Sequence, residues 1–119
     1  MKNLFQSGVF KLASGGYSNW KIECDALTKE DWATLAAMAY EVLPPFGEVV
    51  GVPRGGIPFA NALRDYITVG HVNLLIAEDV VTTGKSINQY KDGDSTIGVC
   101  VFAREKCPDW ITPLFRMYK

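Results

Sequence analysis

Residues 74–86 read Leu-Leu-Ile-Ala-Glu-Asp-Val-Val-Thr-Thr-Gly-Lys-Ser. The apolar opening predicts a buried strand. Glu78 and Asp79 follow without a break. Adjacent carboxylates at the end of a buried strand are costly unless they bind something. Thr82 and Thr83 then precede Gly84, with Lys85 and Ser86 after it. Gly84 admits backbone shapes closed to other residues, and Ser86 is placed to cap a helix from about residue 87. The backbone amides of such a loop, at a helix N-terminus, make an anion site. Carboxylates suit hydroxyls or a metal and amides suit phosphate, so side by side they suit a sugar phosphate. A buried strand running into an ordinary polar turn is the competing reading. Gly84-Lys85-Ser86 also matches the end of a triphosphate-binding loop, but that motif needs a glycine where Asp79 stands, and a carboxylate there repels triphosphate.

Length and charge narrow the field. A chain of 119 residues is expected to form one domain and to bury about two-thirds of its unfolded surface. Hydrophobic residues make up 48% and the net charge is −1. That balance fits an ordinary globular protein, without the basic excess of a nucleic-acid binder or the acidic excess of a disordered chain. Cys24, Cys100 and Cys107 lack metal-ligand spacing. An odd cysteine count with no signal-peptide pattern leads to the expectation of a reducing, cytoplasmic setting. Cys100 lies in the run Val-Cys-Val-Phe and reads as a small core residue. No apolar run approaches the roughly 18 residues of a membrane span.

Taken in order, residues 8–12 and 20–24 alternate apolar and polar around a turn at 14–19, which predicts a hairpin. Residues 28–43 predict an amphipathic helix. Thr28 is its cap and Asp31 the capping-box partner, with Trp32, Leu35, Ala36, Ala39, Val42 and Leu43 on one face. Pro44-Pro45 ends it. Residues 48–52 form a strand leading into Pro53-Arg54-Gly55-Gly56, and residues 57–65 a helix. The paired glycines admit a close backbone approach and Arg54 offers a positive fork; a tight turn with a solvated Arg is the plainer alternative. Residues 66–69 make a short strand at most. His71, the only histidine, is a surface residue or a weak diphosphate contact. Residues 87–91 form a short helix, 92–94 a turn and 96–102 a strand. Arg104 follows, either solvated or functional. The tail from 110 to 118 is an edge strand, a dimer contact or a cover for the hairpin. Strands alternating with helices predict an α/β fold with a mainly parallel sheet flanked by helices, whose ligands bind beyond the carboxyl ends of the strands.

Residues 74–86 resemble the signature for 5-phosphoribosyl 1-diphosphate (PRPP) in type I phosphoribosyltransferases: apolar residues, two acids, two apolar residues, then Thr-Thr-Gly. The form Glu-Asp-Val-Val-Thr-Thr-Gly-Lys-Ser is most like the orotate branch. Residues 51–57, Gly-Val-Pro-Arg-Gly-Gly-Ile, are similar to that family's diphosphate loop, and residues 10–25 to the start of its orotate members, where the segment is part of a hood over the base. Ala103-Arg104-Glu105 looks like a variant of Asp-Arg-Glu, whose Arg reads the base. Two departures stand out. Ala13 occupies a position where some members carry a substrate-contacting Lys, and residues 65–73 are too short for the family's basic mobile loop.

The resemblance implies transfer of ribose 5-phosphate from PRPP to a nucleobase, with an orotate-like pyrimidine favoured, and release of diphosphate. It assigns Glu78 and Asp79 to the ribose hydroxyls and the developing positive charge. Thr82, Thr83, Gly84, Lys85 and Ser86 take the 5-phosphate, Arg54, Gly55 and Gly56 the diphosphate, and Arg104 the base. Mg²⁺ would be carried by PRPP near Asp79, and a homodimer is the expected assembly. The short loop leaves a second possibility open, a non-catalytic module that binds PRPP or a nucleotide phosphate on the same fold.

Overall fold

The computed structural model describes residues 3–11 and 15–118. Strands β1 (Phe5–Lys11) and β2 (Tyr17–Ile22) pair antiparallel, Phe5 opposite Ile22 and Lys11 opposite Tyr17. The hairpin is thus present, and its first strand starts earlier than the alternation indicated. Of the turn expected at 14–19, residues 17–19 belong to β2 instead; residue 14 and the expectation about Ala13 lie outside the described residues. A two-stranded hairpin is marginal in water by itself. This one leans on the body of the protein through Phe5, whose ring meets Phe102 edge-on at 6.1 Å, and Phe102 stacks on Phe115 at 5.5 Å.

Helix α1 (Lys29–Val42) starts as its sequence requires. The Asp31 amide donates to Thr28 Oγ1 (3.1 Å) and the Thr28 amide to Asp31 Oδ2 (2.9 Å), a complete capping box. Trp32, Leu35, Ala36 and Ala39 are buried, but Val42 is 59% exposed. It lies only about 20° round from buried Leu35, but as the last residue of the helix it stands past the last buried position, Ala39.

The main sheet is wholly parallel. Its order is β3 (Glu48–Gly51), β4 (Leu74–Val81), β5 (Thr96–Ala103) and β6 (Ile111–Arg116). Helices α1 and α2 (Ile57–Leu63) cover one face, packing Trp32, Phe59 and Leu63 over Leu75, Ala77 and Val99. On the other face Ile87, Cys107 and Ile111 pack on Ile76, Cys100 and Ala103. The tail is therefore an edge strand, the position where Pro113, lacking an N–H, is tolerated. Residues 66–69 form no strand. A 3-10 turn at Arg64–Tyr66 follows α2, Tyr66 stacks on Tyr40 at 4.8 Å, and the Thr68 amide bonds to the Phe46 carbonyl. No helix among the described residues is long and apolar enough to cross a membrane.

One offset positions everything that follows. Strand β3 ends with Gly51 opposite Ala77, so the last four residues of β4, from Glu78 to Val81, run past it. The loop after β3 fills the space that this leaves.

Thr28→Ala removes one half of the α1 capping box, far from that loop. We expect a loss of about 1 kcal/mol in urea unfolding, with ligand affinity unchanged.

Candidate functional site

Neighbouring residues of a strand point to opposite faces, and the acid pair follows that rule. Glu78 turns towards the α3 face and is 7% exposed; Asp79 turns towards the loop after β3. Glu78 Oε1 accepts the Asp79 amide (3.0 Å), and Asp79 Oδ1 accepts the Val80 amide (2.8 Å). Burial, then the hydrogen bond to Asp79 and its charge, push the Glu78 carboxyl up to about 9. At neutral pH Glu78 is a carboxylic acid that can donate as well as accept, a change from the two carboxylates expected from the sequence.

The loop of residues 53–56 carries a cis peptide between Pro53 and Arg54. Its glycines pack closely on β4. A Cβ on Gly55 would lie 2.1 Å from Asp79 Oδ2, and one on Gly56 2.3 Å from the Ala77 carbonyl oxygen and 2.8 Å from that of Val52. The close approach foreseen between this loop and a ligand is thus made first to β4 itself. Arg54 is exposed; its carbonyl accepts the Ile57 amide, and its guanidinium makes no hydrogen bond or ion pair among the described residues. Arg54, Gly55 and Asp79 line a cavity of about 460 Å³ together with Glu23, Cys24 and Asp25 from the 3-10 turn after β2. The last three were not singled out from the sequence; a polar Glu-Cys-Asp at the end of a strand was the available signal. Lys21 Nζ holds Glu23 Oε2 at 3.2 Å. Burial and the charge of Asp79 push the Cys24 thiol up to about 12, so it stays protonated.

On the opposite side of the acid pair, Gly84 takes a left-handed φ of 81° and opens helix α3 (Lys85–Asn88). The helix begins at Lys85 and not near residue 87, because the glycine turns the chain there. Ser86 lies within its first turn and does not cap it. With a single turn, the helix adds little dipole, so the groups this loop offers to an anion are its own amides and hydroxyls. The Lys85 amide is shared with Thr83 Oγ1 (3.3 Å). Thr82, Thr83, Gly84, Lys85 and Ser86 wrap a cavity of about 140 Å³ that Glu78 also lines.

Arg104 is half-buried and bound, not solvated. Its amide bonds to the Val81 carbonyl (2.8 Å) and its guanidinium stacks 3.7 Å over the Trp20 ring. Nη2 donates to Ser18 Oγ at 2.8 Å. His71 is different. It precedes β4, and its Nδ1 accepts the Asn73 amide (3.1 Å). Its carbonyl lies against Gly47, just before β3, and β4 runs about 16 Å from Leu74 to Asp79, so His71 sits at the other end of the sheet and is not a diphosphate contact.

Between pH 4.5, the ordinary value, and about 9 the folded chain keeps on Glu78 a proton that the unfolded chain has lost. Its contribution is full below 4.5 and is lost as the pH rises through 9, by up to about 1.4 kcal/mol per pH unit. Urea unfolding at pH 5 and 8.5 should show Glu78→Gln losing less stability across this range than wild type. Gly55→Ala should fold, because it meets only the movable end of Asp79. Gly56→Ala meets backbone and should cost about 1–3 kcal/mol, read as a lower Tm.

No family model and no curated protein matches the sequence. Solved structures match its shape. Orotate phosphoribosyltransferase from Aeropyrum pernix is 20% identical with a TM-score of 0.74, over 96% of this chain and 88% of that one. Leishmania donovani UMP synthase is 18% identical at 0.76, over 96% of this chain and 34% of that one. Mycobacterium tuberculosis H37Rv orotate phosphoribosyltransferase, in complex with inorganic phosphate, is 17% identical at 0.63, over 93% and 87%. With its parallel sheet flanked by helices and its small antiparallel hairpin, the chain has the type I phosphoribosyltransferase fold, close to that of the orotate enzymes.

Proposed function

We propose that this chain transfers ribose 5-phosphate from PRPP to a nucleobase and releases diphosphate. One observation carries the reading. The acid pair divides two cavities, a small one walled by amides and hydroxyls and a larger one with a guanidinium and a glycine loop. A sugar lying over Glu78 and Asp79 would send its 5-phosphate into the first and its diphosphate into the second.

Each residue then has a physical task. The 82–86 loop fixes the phosphate and so orients the sugar. Glu78, as a neutral acid, and Asp79 hold the ribose hydroxyls, and Asp79 lies nearest the carbon that becomes cation-like as the bond to diphosphate breaks. Arg54 stabilises the departing charge. The larger cavity sets three acidic side chains, Glu23, Asp25 and Asp79, against one guanidinium. Bare diphosphate would be repelled. Among the described residues no three His, Cys, Asp or Glu side chains converge as a metal-holding group, while Asp79 and its acidic neighbours are oxygen donors of the kind Mg²⁺ takes alongside substrate phosphates. They fit Mg²⁺ arriving with PRPP, where it supplies neutralisation of the leaving group. The reading includes a homodimer, which light scattering checks.

A second reading is a non-catalytic PRPP or nucleotide phosphate-binding module, favoured by the single guanidinium on the diphosphate side. Titration calorimetry with PRPP and Mg²⁺ tests both readings, and absence of heat at millimolar PRPP rejects both. Diphosphate release with orotate, uracil or a purine base then separates them, since the module turns over none. We expect Asp79→Asn to weaken PRPP binding about tenfold to a hundredfold with an unchanged circular dichroism spectrum. An unaltered affinity would remove Asp79 from the ribose.

A further inference from the structure

The identity of the base turns on what Arg104 has left to offer. A guanidinium carries five N–H donors in a fixed plane. Its grip on a carboxylate comes from presenting two of them side by side. Nη1 and Nη2 of Arg104 both face the Trp20 carbonyl, at 3.4 and 3.5 Å. The end-on fork is filled by one backbone oxygen. Nη2 also donates to Ser18 Oγ at 2.8 Å, which occupies the side-on edge that it shares with Nε. The Trp20 ring beneath the guanidinium, 3.7 Å from Cζ, holds the plane in that setting. What remains is Nε–H and one N–H of Nη1, on different edges. Such an arginine gives single hydrogen bonds and has no free pair.

The other cations of the hairpin do not replace that pair. Lys21 is bridged to Glu23 at 3.2 Å and lies over the Phe10 ring at 4.9 Å. Lys11 is exposed at the end of β1.

We infer that the base accepted by this site is a neutral ring bearing an in-plane carbonyl, and not a base carrying its own carboxylate such as orotate, with Trp20 and Ser18 as the residues that set this preference through Arg104. The inference rests on the phosphoribosyl-transfer reading above and specifies its substrate class. A single carbonyl oxygen is served by one N–H. A carboxylate brought to the same place would lose water and find no fork to replace it, unless the guanidinium left the hairpin.

The test uses two nucleotides that differ only by that carboxylate. Orotidine and uridine 5′-monophosphate share the ribose phosphate that anchors them, so the ratio of their Kd values, from calorimetry on the whole chain, isolates the base. Wild type should bind the uridine nucleotide about tenfold or more tightly than the orotidine nucleotide. Ser18→Ala frees the Nη2 N–H on the edge shared with Nε, and Trp20→Ala keeps the backbone carbonyl but removes the ring that holds the guanidinium plane; both should narrow the ratio, mainly by improving the orotidine nucleotide. Trp20→Phe, which keeps a ring under the guanidinium, should restore it. Equal affinities in wild type, or tighter binding of the orotidine nucleotide, overturn the inference while leaving phosphoribosyl transfer standing. So does a ratio that both Ser18→Ala and Trp20→Ala leave unchanged. If neither nucleotide binds and PRPP does not bind either, the reading of the site falls and the inference falls with it. If PRPP binds and neither nucleotide does, only the inference falls.

Discussion

Asp79 occupies the space that a side chain on residue 55 would need. This contact follows from a mismatch in length: β3 ends level with Ala77, and β4 continues to Val81. The loop after β3 folds over the projecting strand where it has no side chains: Gly55 packs on the Asp79 carboxylate and Gly56 on the Ala77 carbonyl. One packing event thereby fixes the position of Asp79, brings Arg54 beside it, and closes one wall of the larger cavity. A loop with any larger residue at 56 would stand away from β4, and the acid pair would lose its neighbour.

The pair itself is asymmetric. Strand geometry sends its two members to opposite faces, and the faces differ in depth. Glu78, packed behind the 82–86 loop, is buried and keeps its proton; Asp79 faces the more open side beside the 3-10 turn after β2. Burial, with the hydrogen bond and charge of its neighbour, thus lets Glu78 donate as well as accept. The hairpin adds a further asymmetry. It shares no strand pairing with the main sheet, and the ties described here are the Phe5–Phe102 ring contact and the hold of Trp20 and Ser18 on Arg104. A residue that reads as a solvated or base-reading arginine in the sequence is also part of what keeps the hairpin in place.

Much of this was legible before any coordinates. The apolar-acid-acid pattern at 74–79 marked the central strand and its polar end. The Thr28–Asp31 box marked the start of α1, and the order of elements implied a parallel sheet. The misreadings share a cause. Ser86 as a cap, Val42 as core and residues 66–69 as a strand were local inferences that distant groups overrode. Gly84 turned the chain early, the α1 stripe ended before Val42, and Phe46 took the Thr68 amide. His71 was misplaced for a related reason: closeness in sequence to β4 says nothing about which end of the strand carries the ligand.

By itself the sequence determined which residue types stand where: two acids closing an apolar run, a hydroxyl-rich glycine loop, a Pro-Arg-Gly-Gly turn, and an arginine after a strand. Those are local facts, because strand, turn and cap preferences act over a few residues. The tertiary structure alone decided that Glu78 and Asp79 face different cavities, that Gly55 makes room for Asp79, that Glu23, Cys24 and Asp25 join the site, and that Arg104 turns its fork to Trp20. Each of these depends on segments far apart in the chain, brought together by burial of both faces of the sheet. Burial also keeps the proton on Glu78, and the hairpin decides which donors Arg104 has left.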